Sequence, residues 1–223
     1  YEVLKAAKVR TGLIGTIETI IGDKRIPSVN TTPDAFVLQK RFKEMVEAGI
    51  EAVVMEVSSQ GLMLHRVGGF EFDYGVFTNL GKDHIGENEH KDFDDYKKCK
   101  AMLFKQCKKG IINIDDKFAQ DMIKDAKCEI ETFGINNADL CAKDISLYKE
   151  KGTLGISYTL DVKNEETYPL KIDIPGLFNV YNSLTAIAIC RHFVSDMKFM
   201  ESVLKRIRIK GRAEIVETGE DFT

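Results

Sequence analysis

The sequence predicts an α/β fold: a mostly parallel sheet flanked by helices, with a small antiparallel β appendage. Three observations predict it. Short apolar runs alternate with amphipathic stretches over the first two thirds of the chain. Three of those runs, Ala52-Val53-Val54-Met55, Tyr74-Gly75-Val76-Phe77 and Gly110-Ile111-Ile112-Asn113-Ile114, are apolar at almost every position, as in strands covered on both faces. Beyond Asn136-Asn137 the texture changes to alternation, as in Ile156-Ser157-Tyr158-Thr159-Leu160, which suits an antiparallel meander.

Each element follows from local chemistry. Residues 1–7 read as the end of a helix. Residues 13–17 form a strand, and Thr19-Ile20-Ile21, Gly22-Asp23 and Arg25-Ile26 form a hairpin around a tight Gly-Asp turn. Thr32 is placed to cap a helix that begins with Pro33 and carries Asp34 near its positive end. Leu38, Phe42, Met45 and Val46 make the apolar stripe of that helix, and Gly49 ends it. A helix is expected over 93–107, another over 117–124, and a strand over 129–133. Strands over 145–148, 155–162 and 168–174 form the meander. After the Pro175-Gly176 turn come a helix over 180–193 and a short one ending near Ile207. The chain divides into a core sheet over 1–135, the appendage over 140–175 and closing helices over 176–223.

Composition excludes several classes of function. The 32 basic residues against 35 acidic ones give a net charge of -3, so nothing favours nucleic acid or an anionic membrane as a partner. No apolar run approaches the roughly 18 residues of a membrane span. Five cysteines, odd in number and without a Cys-x-x-Cys pair, read as reduced cytosolic thiols rather than a disulfide or zinc framework. The chain does not open with a secretory signal.

Ligands of open α/β sheets collect beyond the carboxyl ends of the strands. One apolar strand runs straight into Glu56-Val57-Ser58-Ser59-Gln60-Gly61, and the next into Thr78-Asn79-Leu80-Gly81-Lys82-Asp83-His84. Glu56 and His84, at adjacent strand ends, can converge on one divalent ion, although spacing alone favours a solvated acid and a surface imidazole. Lys100 shares a helix face with Tyr96, Leu103 and Cys107. A lysine there either snorkels to water or has a chemical reason to be buried, such as carbamylation to an anionic oxygen ligand for magnesium. Arg66 can hold a carboxylate or phosphate with its fork, or sit on a helix surface. His90 reads as loop polarity and His192 as the outer edge of a helix. Ser58 lacks a nucleophile elbow, and the chain contains no Gly-x-x-x-x-Gly-Lys-Ser/Thr phosphate loop.

Together these segments resemble the central domain of the Mur ligase family, in its diamino-acid-adding branch. The resemblance rests on Gly12-Leu13-Ile14-Gly15-Thr16, Asn30-Thr31-Thr32-Pro33-Asp34, Met55-Glu56-Val57-Ser58-Ser59-Gln60-Gly61-Leu62, His65-Arg66-Val67, Phe77-Thr78-Asn79-Leu80 and Asp83-His84. It continues through Tyr96 with Lys100, Ile112-Asn113-Ile114-Asp115-Asp116, Gly176-Leu177-Phe178-Asn179 with Asn182, and Gly211-Arg212-Ala213-Glu214.

The resemblance implies a P-loop-NTPase-like fold and an ATP- and Mg²⁺-dependent amide ligase of cell-wall precursor synthesis, monomeric and cytoplasmic in a bacterium. Its substrates would be UDP-N-acetylmuramoyl-L-alanyl-D-glutamate and a diamino acid, L-lysine or meso-diaminopimelate, joined through an acyl phosphate. Glu56, His84 and Lys100 as N6-carboxylysine would serve magnesium, with His84 and Lys100 central to catalysis. Thr31, Thr32, Ser58 and Arg66 would position the muramoyl peptide, and Asn179, Asn182 and Arg212 the nucleotide. The chain departs from the family pattern at three places. The phosphate loop is absent, so the chain reads as a fragment, inactive alone. Asp83-His84-Ile85-Gly86-Glu87-Asn88-Glu89-His90 replaces a commoner Asp-His-Leu-Asp-x-His, so no metal role carries over to His90. Leu64 stands where many relatives have Gln. Other readings are another ligase of the superfamily such as folylpolyglutamate synthase, a metallohydrolase on Glu56, His84 and His90, and a non-catalytic binding module.

Overall fold

A computed structural model describes residues 1–81, 85–86, 89–150 and 153–207. Its strands form two sheets. In the first, β1 (Thr11–Ile14) lies parallel to β4 (Ala52–Met55), with Leu13 opposite Val54. On its other side β1 pairs with β2 (Glu18–Ile21), which turns at Gly22, φ +58°, into β3 (Lys24–Pro27). The order is β3-β2-β1-β4.

The second sheet has the order β10-β9-β8-β7-β6-β5. Strands β5 (Phe72–Phe77), β6 (Cys107–Asn113) and β7 (Glu129–Gly134) are parallel. Strand β8 (Leu140–Glu150) starts parallel to β7 and then pairs antiparallel with β9 (Thr153–Val162), which pairs with β10 (Thr167–Ile172). The antiparallel appendage therefore extends the parallel sheet itself.

Why the strands of the second sheet are apolar throughout is visible at Ile111 and Ile112, neighbours that point to opposite faces and are both fully buried. Ile111 joins a core with Phe133, Leu140, Leu160, Leu184 and Ile187, under α6 (Leu177–Cys190). Ile112 joins Phe77, Tyr96, Phe104 and Met122, under α4 (Phe93–Ala101) and α5 (Ala119–Ile123). Each buried aliphatic side chain of this kind contributes about 1.5–3 kcal/mol. The short α1 (Glu2–Ala6) and α7 (Met197–Leu204) add Val3, Leu4, Met200 and Leu204 to the α6 side. The first sheet has its own core of Ile14, Ile21, Leu38, Met45, Leu62 and Val67, beneath α2 (Ala35–Glu47) and α3 (Ser59–Met63).

Several expectations are corrected. Thr32 does not cap α2: Asp34 occupies that position, and the Thr32 side chain is turned inward to the loop after β4. Val46 is 74% exposed, so the buried stripe of α2 is the narrower Leu38–Met45 row; Gly49, φ +67°, does end the helix. Helix α4 stops at Ala101 and gives way to a 3₁₀ turn, Met102–Lys105, because Cys107 already belongs to β6. Strand β4 is covered less completely than an all-apolar run suggests, with Val53 39% exposed. Strands β4 and β5, expected side by side, are edge strands of different sheets.

Candidate active site

Strands β1, β4 and β5 deliver Thr16, Glu56 and Thr78 just past their carboxyl ends, and all three line one cleft of about 880 Å³. Val54 of β4 and Val76 of β5 also line it, so the cleft runs between the two sheets. Thr31, Thr32, Ser58, Arg66 and Lys100 complete its polar wall, and Ala186 and Ile189 of α6 its apolar one.

The polar wall is a preorganised network. Thr16 donates its hydroxyl to Glu56 Oε2 at 2.6 Å and its backbone N–H to Oε1 at 3.3 Å. A Cβ at Gly15 would lie 2.7 Å from Oε1, so only glycine lets the carboxylate settle there. Thr31 Oγ1 lies 3.1 Å from the Thr16 hydroxyl. Thr32, fully buried, accepts from the Ser58 N–H at 2.8 Å and donates to the Glu56 carbonyl at 3.2 Å. Its methyl group would be 2.6 Å from a Cβ at Gly61, which explains the glycine inside α3. Ser58 caps α3, its Oγ accepting the Gly61 N–H at 3.0 Å. Arg66 donates to the Thr32 carbonyl at 3.0 Å and pairs with Asp34 at 3.1 Å.

Lys100 approaches the cleft from α4. It is half-buried, and its ammonium lies 5.8 Å from the Tyr96 ring centroid. Among the described residues no carboxylate pairs with it, and burial pushes its amine below the ordinary lysine range. Lys97, one turn earlier, shows the contrast. Hydrogen bonds to Asp94 and Asp121 push its pKa up. Two lysines on one helix thus differ in chemistry, and the amine at the cleft is the one that loses its proton more readily.

Five of the expected site residues with Lys100 (Thr31, Thr32, Glu56, Ser58 and Arg66) therefore meet at one cleft. Asn179 and Asn182 do not line it. They sit at the start of α6, where Asn179 donates to the Pro175 carbonyl at 2.8 Å and accepts from Asn182 at 3.1 Å. His84 and Arg212 lie outside the described residues. Sequence reasoning assigned no site role to Thr16, and to Asp34 only a place near the positive end of a helix. The signal for Thr16 was available, because it follows a strand end just as Glu56 does; nothing in the sequence pointed to the Asp34–Arg66 pair. His90, read as loop polarity, is fully buried.

Comparison with known proteins identifies the family. The family model described as the Mur ligase middle domain matches residues 1–190. The UDP-N-acetylmuramoyl-L-alanyl-D-glutamate–2,6-diaminopimelate ligase of Caldanaerobacter subterraneus subsp. tengcongensis is 40% identical over 222 residues, 99% of this chain and 45% of that protein. Ligase 1 of the same name from Clostridium acetobutylicum is 42% identical over 224 residues, again 99% and 45%. The chain thus spans about half the length of these curated relatives. A solved ligase of that name superposes with a TM-score of 0.80 at 26% identity, over 93% of this chain and 42% of its own. MurF from Acinetobacter baumannii shares the fold, with a TM-score of 0.72 at 16% identity over 97% and 44%. The chain belongs to the Mur ligase family.

Proposed function

We propose that this chain is the middle domain of an ATP-dependent ligase that adds a diamino acid to UDP-N-acetylmuramoyl-L-alanyl-D-glutamate in the bacterial cytoplasm. The observation that carries the reading is the convergence of Glu56, Lys100 and the Thr31–Thr32–Ser58–Arg66 network on one cleft at the carboxyl ends of β1, β4 and β5. The relatives are named for 2,6-diaminopimelate, and we assign that diamino acid here.

The chemistry joins a carboxylate to an amine, and a carboxylate is a poor electrophile. An oxygen of the D-glutamate carboxylate attacks the γ-phosphorus of ATP and ADP leaves, giving an acyl phosphate. The amine nitrogen then attacks the acyl carbon, loses its proton and expels phosphate. Positioning and charge neutralisation carry such a transfer. Magnesium, when bound, neutralises charge on the polyphosphate and the acceptor carboxylate.

The residues fit a hard cation that takes oxygen ligands. Glu56 offers a carboxylate steadied by Thr16. Lys100 as an amine offers no oxygen. With its pKa lowered by burial and no described carboxylate to hold its charge, it can add carbon dioxide, forming an N–C bond and releasing a proton. The resulting carbamate supplies the missing oxygens. We assign His84 to the same metal group and Arg212, Asn179 and Asn182 to the nucleotide. Thr31, Thr32, Ser58 and Arg66 hold the loops that face the muramoyl peptide, Arg66 through Asp34 and the Thr32 carbonyl.

In the complete ligase, ADP release is expected to require both the UDP-muramoyl dipeptide and diaminopimelate. Glu56→Gln is expected to lower kcat at least ~100-fold, in line with loss of a charge-stabilising group. ADP release independent of the dipeptide, or full activity in Glu56→Gln, would overturn the assignment.

A further inference from the structure

Beyond the cleft, one cluster brings an imidazole, a carboxylate and a thiol together. Asp95 and Cys99 stand four residues apart on α4 and so project from the same face of the helix. His90, just before the helix, packs its ring against Tyr96 with centroids 5.1 Å apart. One donor atom from each of His90, Asp95 and Cys99 lies within 4.8 Å of the other two.

Two details distinguish this cluster from an ordinary polar contact. His90 Nδ1 and Asp95 Oδ2 are 3.3 Å apart, a long hydrogen bond. Ligands ~2.0–2.1 Å from one tetrahedral ion are separated by about 3.3–3.4 Å, so the same spacing is also an edge of a coordination tetrahedron. The second detail is the ring itself. His90 has no exposed surface, yet among the described residues its Nε2 has no hydrogen-bond partner. A buried ring nitrogen left unpaired costs about 1–3 kcal/mol, so the ring is held in place by packing, with Nδ1 and not Nε2 turned to Asp95. Neither Asp95 nor buried Cys99 supplies the missing bond.

We propose that His90, Asp95 and Cys99 form a binding site for a thiophilic divalent cation of the zinc class, separate from the magnesium site assigned to Glu56 and Lys100. Imidazole and thiolate favour zinc over magnesium, which takes oxygen ligands. Binding forms a metal–sulfur bond, and the Cys99 thiol proton leaves to solvent. Contraction of the cluster by about an ångström brings all three donors to bonding distance. The fourth position is open to water. An ion there ties residue 90 to the helix that carries Lys100.

The test is titration of the full chain with Co²⁺ as a spectroscopic substitute for zinc, followed by zinc displacement. The expected result is one equivalent bound, with tetrahedral d–d bands and a thiolate-to-cobalt charge-transfer band that zinc abolishes and excess magnesium does not. Cys99→Ser is expected to remove the charge-transfer band, and His90→Gln and Asp95→Asn to weaken binding at least tenfold. Glu56→Gln and Lys100→Ala leave the spectrum unchanged. His90 and Cys99 are buried, so circular dichroism must show each variant folded; half-buried Asp95→Asn provides the variant least exposed to a folding defect. No charge-transfer band in the wild-type chain, a band that survives Cys99→Ser, or cobalt binding unaltered in Asp95→Asn would overturn the site and leave the cluster a hydrogen-bonded pair beside a thiol.

Discussion

Lys100 separates the chemistry of the site from its scaffolding. Its amine titrates below exposed lysines because burial penalises the charged form and no described carboxylate offsets that penalty. The sign fixes a pH dependence. As pH falls from alkaline values, Lys97 becomes protonated before Lys100, so Lys100 keeps a reactive neutral amine over a range where Lys97 has lost its own. Pulse acetylation read by mass spectrometry is therefore expected to modify Lys100 at lower pH than Lys97, whose pKa is raised by Asp94 and Asp121. Lys97 reacting first would show that burial does not govern this amine. In the complete ligase, Lys100→Ala is expected to lower kcat at least ~100-fold, with partial recovery in short carboxylic acids or high bicarbonate. Wild-type activity without rescue would exclude a carbamate role.

Among the elements, the loop after β4 and the start of α3 depend on one hydroxyl. Thr32 bonds both the Glu56 carbonyl and the Ser58 N–H from a fully buried position. Thr32→Val keeps the shape and strands the half-buried Ser58 N–H. It is expected to lower unfolding free energy by about 1–3 kcal/mol, measured by urea denaturation, and Thr32→Ser to restore most of it. Equal losses for both would assign the effect to packing. The same residue shows what was legible in the sequence. A threonine before Pro33-Asp34 has the local signature of an N-cap, and the helix exists where that signature places it. Its hydroxyl goes elsewhere because Asp34 takes the cap position and a partner 26 residues away competes for the oxygen. Strand positions were legible for a plainer reason: Ile111 and Ile112 must both be apolar when each faces a different core. The end of α4 was not, because Leu103 in the 3₁₀ turn and Cys107 in β6 continue the helical spacing of Tyr96 and Lys100 past the point where the helix stops.

At the scale of the whole molecule, strand pairing was the feature least legible from sequence. Apolar runs identify strands but carry no label for their neighbours, so β4 and β5 read as adjacent when they edge two sheets across the cleft. The convergence of Glu56, Lys100, Thr31, Thr32, Ser58 and Arg66 was legible because all but Lys100 follow strand ends or their loops; that Asn179 and Asn182 stay off the cleft was not, because α6 lines it only further along, with Ala186 and Ile189, while the two amides bond each other and the Pro175 carbonyl at the helix start. The cleft's charge balance then bears on nucleotide binding. Among the described residues that line it, only Arg66 and Lys100 have basic side chains, against Glu2 and Glu56. Arg66 is already committed to Asp34 and the Thr32 carbonyl, and Lys100 gives up its charge more readily than an exposed lysine. The sequence contains no glycine-rich phosphate loop whose backbone N–H groups could take their place. Among the described residues, a polyphosphate carrying several negative charges therefore finds almost no free positive side-chain charge in the cleft. The 223-residue chain by itself is expected to bind Mg²⁺–ATP with a Kd above ~1 mM, weaker than about 4 kcal/mol, by isothermal titration calorimetry. Micromolar binding would mean that the cleft's own side chains form a phosphate site, and the division of labour inferred from its charges would be wrong.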